Sequence, residues 1–307
     1  MMPSITPIFS GGTGRSGTTI VVNLLARHSQ VHSSMPREVR YLCADRGLLD
    51  LNFIRKYPVK IPPNSVSHKL IDRLTTIGII SPMAVFTKQM STAWWSETGK
   101  NGNPRGLVQG MEFDELNQIL QEFSPAYRKD KYAASRSLYI QIAKAQKFAE
   151  GTKFFADSTP VNIMNAEYIN QLFPESRFIN MVRDGRDVAA SVVREPWGPK
   201  DHIPALEWWK NRMLVGFNAL KSVPDDHQVT IRIVDLVTEK RQENYNALLS
   251  FLKIENEIKI EKYFKENLLA EKMKIGSWVS EVSDVKAFQS EYEKLCLELE
   301  AAGVPIP

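Results

Sequence analysis

Residues 5–10 form a short apolar run rich in strand-forming side chains, and Gly11-Gly12 follow it without a break. Beyond Gly17, Thr18-Thr19-Ile20-Val21-Val22-Asn23-Leu24-Leu25 carries apolar side chains at helical intervals. The order is strand, glycine turn, helix, which commits the start of the chain to an α/β unit. The spacing Gly12-x-x-x-x-Gly17-Thr18-Thr19 is that of a phosphate-binding loop, except that Thr18 stands where a nucleotide triphosphatase carries lysine. Glycines in such a turn let successive backbone N–H groups point inward, and the following helix adds its positive N-terminal end. Arg15, Ser16, Thr18 and Thr19 add charge and hydroxyl donors suited to one phosphate without magnesium. Taken alone, the pattern equally fits a turn that only connects strand to helix.

Further apolar runs repeat the alternation. Lys153-Phe154-Phe155-Ala156-Asp157 ends in Ser158-Thr159-Pro160, which breaks the strand and starts a helix through Ala166, Tyr168, Ile169 and Leu172. Residues 177–183 read as a buried strand, Asp184-Gly185-Arg186 as a turn, and residues 187–193 as a helix. A fourth strand is expected at 229–234, followed by a helix through Tyr245, Leu248, Leu249 and Leu252. Strands alternating with helices predict an α/β fold in one domain spanning 1–307, with a central parallel sheet flanked by helices. Between about 48 and 131 the strand signal disappears, and this segment is expected to be a helical insertion over the sheet edge. Residues 284–302 predict an amphipathic surface helix with Val285, Phe288, Leu295 and Leu299 inward.

Charge and composition exclude several classes. With 39 basic against 35 acidic side chains, the formal +4 is too slight for wrapping nucleic acid and suits a small anionic ligand. Cys43 and Cys296 fit neither a disulfide framework nor a metal-ligand spacing, and read as partly buried free thiols; no metal is expected. No apolar run reaches the roughly 18 residues of a membrane span, and the N-terminus lacks a signal-peptide pattern, so the expected location is the cytoplasm.

A second constellation sharpens the reading of the loop. Arg183 ends a predicted strand, and Ser191 follows about two helical turns later. A guanidinium and a hydroxyl so placed can grip another phosphate at the carboxyl edge of the same sheet. Two cradles imply a ligand with two separated phosphates. Alone, Arg183 equally fits an ion pair with Asp184 or Asp187.

These residues resemble the sulfotransferases that use 3′-phosphoadenosine 5′-phosphosulfate, the tyrosylprotein and bacterial branch most closely. The likeness rests on Gly14-Arg15-Ser16-Gly17-Thr18-Thr19 as a 5′-phosphosulfate loop and on residues 172–187 leading to Ser191 as a 3′-phosphate motif. Gly276-Ser277-Trp278 looks like the late loop that closes over the nucleotide. The resemblance implies that Thr13, Gly14, Arg15, Ser16, Gly17, Thr18, Thr19, Arg183, Ser191, Gly276 and Trp278 bind the donor. It also implies Glu38 as the base, in Pro36-Arg37-Glu38-Val39-Arg40-Tyr41, with Arg15 stabilising charge. His32 and His202 rank below Glu38. The acceptor, a hydroxyl or amine of a small molecule, glycan, lipid or peptide, is not specified by these motifs.

Departures are expected to matter. Related enzymes carry Glu-Lys-Thr-Pro where this chain has Asp157-Ser158-Thr159-Pro160, with Lys153 the nearest substitute for the lost lysine. Ile233 stands where an aromatic often precedes Glu-Asp-Leu, which leaves Trp278 as a candidate adenine contact. Of the tryptophan pairs, Trp208 reads as a core contact with Met213 and Phe217, and Trp94-Trp95 as acceptor contacts. Two other readings stay open at this stage: a magnesium-dependent kinase or triphosphatase, disfavoured by Thr18, and a nucleotide-binding protein without turnover, favoured by Ser158.

Overall fold

A computed structural model describes residues 5–55, 75, 78–99 and 102–307. Five strands form one parallel sheet: β1 (Thr6–Gly12), β2 (Val31–Ser33), β5 (Phe154–Asp157), β6 (Arg177–Val182) and β7 (Gln228–Arg232), in the order β2-β5-β1-β6-β7. Two further two-residue strands, β3 (Glu97–Thr98) and β4 (Pro104–Arg105), pair antiparallel in a hairpin outside it. The first helix, α1 (Thr18–Leu25), leaves the carboxyl end of β1. Since β1 lies between β5 and β6, the chain departs to both sides of it. That makes its carboxyl end the switch point where open α/β sheets bind ligands.

Both faces of the sheet are covered, which explains why its strands read as continuous apolar runs. Successive side chains of β1 point to opposite faces. Phe9 enters a cluster with Tyr139, Phe155, Phe173 and Phe178, while Ile8 enters another with Val21, Leu24, Ile179 and Met181. A third cluster joins Val188, Val192 and Trp209 to Phe288, Tyr292, Leu295 and Leu299 of the C-terminal helix Val285–Ala301. That helix starts at Asp284, whose carboxylate accepts the N–H of Ala287 at 3.0 Å.

Several expectations change. The edge strand β2 had no sequence signal, because its three residues alternate one apolar side chain with His32 and Ser33. Residues 48–131 are mostly helical where described, yet they do not simply lie over an edge. Leu48, Phe86, Met90, Trp94, Leu116 and Phe123 share one continuous cluster with Phe9 of the central strand. Their long helix Phe113–Lys129 starts with a reciprocal cap between Glu112 and Glu115. The fourth strand ends at Arg232, two residues before the expected limit. Cys43 is fully buried and Cys296 half-buried, both as free thiols. Among the described residues no helix is long and apolar enough to cross a membrane.

The start of the loop is set by contact. A Cβ on Gly12 would lie 2.3 Å from the Met181 carbonyl oxygen of β6 and 2.5 Å from Ser16 Oγ. Neither neighbour can move without breaking the sheet edge or the loop. Gly12→Ala is therefore expected to destabilise the fold by about 1–3 kcal/mol, the usual range for overpacking, read as a lower urea midpoint with an unchanged slope. Phe9→Ala should cost about 3–5 kcal/mol in the same measurement.

Candidate functional site

The loop at residues 12–19 floors a cavity of about 480 Å³, into which Gly14, Arg15, Gly17, Thr18 and Thr19 open. Helix α1 begins at Gly17, which has φ 98°, and no side chain caps it. In its first turn the Ile20 N–H donates to the Gly17 carbonyl at 2.9 Å, which leaves the N–H groups of Thr18 and Thr19 and the positive helix end open to an anion in the cavity. A Cβ on Gly17 would lie 2.9 Å from Ile233 Cδ1, so glycine serves both the left-handed turn and the close packing. Beside the loop, Ile233, Val234, Val237, Met273 and Ile275 make an apolar wall.

Not every loop residue turns its side chain toward that space. Ser16 is fully buried beneath Gly12, and Thr13 Oγ1 donates to the Gly14 carbonyl at 3.1 Å. Their side chains shape the loop from below. Arg15 holds φ 58° and sends its guanidinium toward the second constellation, with Nε donating to Ser191 Oγ at 2.9 Å and Nη1 lying 3.7 Å from Glu195. Loop and second constellation are thus in direct contact.

Arg183 stands just past the end of β6 and lines the same cavity. It donates to the Arg15 carbonyl at 3.1 Å and to the Lys274 carbonyl at 2.5 Å, and its guanidinium lies 3.7 Å from Asp187. Asp187 in turn accepts the N–H of Gly276 at 3.1 Å, and burial holds its carboxyl above the ordinary range. One arginine and one aspartate therefore fasten the late segment to the loop. In that segment Met273, Lys274 and Ile275 form the cavity wall. Trp278 lies against Phe288 and the Arg186 guanidinium and is not among the residues lining the cavity.

Glu38 borders two spaces. It lines the cavity over the loop and also a neighbouring cavity of about 350 Å³, together with Thr19 and Arg40. Burial raises its carboxyl above the usual glutamate value, against the opposing pull of Arg40, Arg105 and Arg15. Glu38 accepts no hydrogen bond among the described residues. The second cavity is bounded by Arg37, Tyr41, Trp94, Glu97 and Arg105. Trp94 is packed edge-on against Phe86 and shows one surface to this cavity, whereas Trp95 packs on Phe113 and stays out of its lining.

The turn carrying Glu38 is stitched to the end of β5. Val39 N–H donates to Asp157 Oδ1 at 3.2 Å, and both the N–H and the hydroxyl of Ser158 donate to the Arg37 carbonyl at 3.0 Å. Asp157 is fully buried and also accepts from Thr159 N at 2.9 Å, Thr159 Oγ1 at 2.6 Å and Asn162 Nδ2 at 2.9 Å. Burial pushes its carboxyl up to about 6, with those donors pulling it down. Ser158 is fully buried, so its position serves the Glu38 turn and offers nothing to the cavity. Lys153 is no substitute cation, because it is exposed ahead of the amino end of β5 while the cavity lies at the carboxyl ends.

His32 is stacked 6.2 Å from Phe155 and lies 4.7 Å from Phe148, and burial lowers its pKa. His202 meets Phe288. Neither lines the two cavities. Trp209, fully buried, is the core tryptophan of the helix His202–Leu220, and a Cβ on Gly185 would collide with it. Trp208, expected in the core, is partly buried: it packs against the cluster that holds Met213 and Trp209, meets Trp197 at 5.9 Å and reaches the loop at Gly14. The same helix brings Arg212 into the cavity lining. The signal for Arg212 was the spacing Trp208-x-x-x-Arg212, one helical turn, which stacks a guanidinium on an indole. Among the described residues no group of acidic, histidine or cysteine side chains has the arrangement of a metal site.

Comparison with known proteins adds a family and a fold. The group described as "Sulfotransferase family" matches residues 7–257. In three dimensions the chain is similar to the sulfotransferase domain of the Synechococcus PCC 7002 olefin synthase, with a TM-score of 0.51 at 16% identity over 99% of this chain and 96% of that one. It is also similar to sulfotransferase STF9 from Mycobacterium avium, with a TM-score of 0.50 at 15% identity over 99% of this chain and 78% of that one. At these identities the likeness is one of fold. No curated protein sequence matches the chain.

The stitching around Asp157 has a measurable cost of removal. Asp157→Ala strips the acceptor from three buried N–H groups and is expected to destabilise by about 3 kcal/mol or more, since each unpaired donor costs about 1–3 kcal/mol. Ser158→Ala removes one bond and should cost about 1 kcal/mol. Urea denaturation of the two variants checks the order.

Proposed function

The chain belongs to the sulfotransferase family, and from that premise we propose that it moves a sulfuryl group from 3′-phosphoadenosine 5′-phosphosulfate to an acceptor hydroxyl. The observation that carries this reading is the placement of Glu38 at the junction of the two cavities, one floored by the anion-binding loop and the other free for an acceptor. The uncapped N-terminus of α1 and the loop N–H groups receive the donor's 5′ end. Arg183 and Ser191, already linked to Arg15, receive the 3′-phosphate. Aliphatic contacts from Ile233 and Val237 take the place of an aromatic shelf for the base.

In the reaction the acceptor hydroxyl loses its proton to Glu38 as its oxygen bonds to sulfur. The bond from sulfur to the phosphate oxygen breaks on the opposite side, and the phosphate keeps that electron pair. The new negative charge on the phosphate falls where the loop donors and the helix end already point. Positioning and electrostatics supply the rate, as in phosphoryl transfer. Arg15 contributes charge from beside Ser191, within electrostatic reach of Glu38. Acceptors carrying a hydroxyl small enough to reach Glu38 are the substrate class.

Glu38 must be ionised to act, and burial raises its pKa. Activity should therefore fall as pH drops, with the midpoint above the ordinary glutamate value near 4.3. Glu38→Gln should lower transfer of labelled sulfate by about a hundredfold or more, abolish that acid limb and leave binding of adenosine 3′,5′-bisphosphate unchanged. Calorimetry tests the donor: the wild-type protein should bind adenosine 3′,5′-bisphosphate without metal and bind ATP with magnesium far more weakly. The reverse preference would establish a triphosphate enzyme instead.

A further inference from the structure

Four guanidinium groups line the cavity over the loop. Three are matched by carboxylates: Arg15 with Glu195 at 3.7 Å, Arg40 with Glu97 at 2.8 Å and Arg183 with Asp187 at 3.7 Å. Arg212 differs. Among the described residues no carboxylate lies within ion-pair distance of it, and its Nη1 makes a single hydrogen bond, to the Thr13 carbonyl at 3.0 Å. The guanidinium lies over the Trp208 ring at 4.1 Å. These contacts aim the group, and neither cancels its charge.

The consequence is an uncompensated, half-buried cation in the cavity wall. Burial lowers its pKa to about 10, which leaves it charged at neutral pH. Holding such a charge without a partner is destabilising, and chains rarely keep one where no anion arrives. The position says which anion. A Cβ on Gly14 would lie 3.8 Å from Arg212 Nη1 and 3.5 Å from Trp208 Cη2, so the guanidinium flanks the loop at Gly14. A guanidinium carries five N–H donors, and the Thr13 carbonyl engages only one nitrogen. The remaining donors are available to oxygen atoms seated on the loop.

We infer that Arg212 is the counter-ion of the anion held by the loop, bonding oxygens of the phosphate or sulfuryl group that the main-chain N–H groups cradle. This rests on the loop being the donor's anionic site, as proposed above, though not on the nucleotide part of the donor. Arg212 thereby brings the positive charge that the buried Ser158 does not offer to the cavity.

The test uses Arg212→Met and Arg212→Gln in the full chain, with melting temperature and calorimetric affinity as readouts. The probes are inorganic pyrophosphate and adenosine 3′,5′-bisphosphate. Without ligand, both variants should melt at or above the wild-type temperature, because an unpaired, half-buried charge is gone. Affinity for both probes should drop by about tenfold to a hundredfold, the size of one or two charge-assisted hydrogen bonds, and Arg212→Lys should recover part of it. Variants that melt well below the wild type without ligand would make Arg212 a structural brace for Thr13 and overturn the inference. Unchanged affinity for both probes would overturn it too. A wild-type protein that binds pyrophosphate through Arg212 but ignores the bisphosphate would support the counter-ion role and contradict the donor assignment.

Discussion

An open helix N-terminus at the carboxyl end of the central strand is the constraint on which the other features depend. The loop delivers it only because Gly12 clears the Met181 carbonyl and Gly17 adopts the left-handed turn against Ile233. Among the described residues no side chain caps α1, so the N–H groups of Thr18 and Thr19 keep their bonding capacity for a ligand. Burial of β1 on both faces, by Phe9 on one side and Ile8 on the other, gives this loop a rigid root. Arg183 and Asp187 then draw the late segment over it, which turns an open sheet edge into a walled cavity.

The proposed base depends on a second piece of the same scaffold. Glu38 has no hydrogen-bond partner of its own among the described residues, and its place comes from its neighbours in sequence. Arg37 is bonded through its carbonyl to Ser158, and Val39 through its N–H to Asp157. The end of β5 therefore fixes a carboxylate while leaving the carboxylate itself free. A cluster of donors around Asp157 offsets the burial of its charge, so the stability cost sits one layer away from the chemistry.

The glycine loop and three of the four later strands of the parallel sheet were legible in the sequence, because each is a contiguous run or a short fixed spacing. What it concealed depends on packing between distant segments. Arg212 meets the loop 199 residues away from Thr13, and only the tertiary structure shows that no carboxylate among the described residues matches its charge. Ser158 looked like a lost functional group until its hydroxyl was seen to hold the Glu38 turn. The strand β2 is too short and too polar to announce itself. Trp209 is fully buried, whereas Trp208, adjacent in sequence, reaches the loop from the rim of the same cluster, a distinction set by helix phase. Late-loop similarity pointed to Gly276-Ser277-Trp278, and the neighbouring Met273, Lys274 and Ile275 are the residues of that segment that line the cavity.

The central claim is that one ligand spans both anion cradles. A crystal structure of the chain grown with adenosine 3′,5′-bisphosphate tests it most directly. The account predicts one phosphate on the main-chain N–H groups of residues 14–19 and the other against Arg183 and Ser191. A nucleotide bound elsewhere, or bound with only one phosphate engaged by these residues, would contradict it.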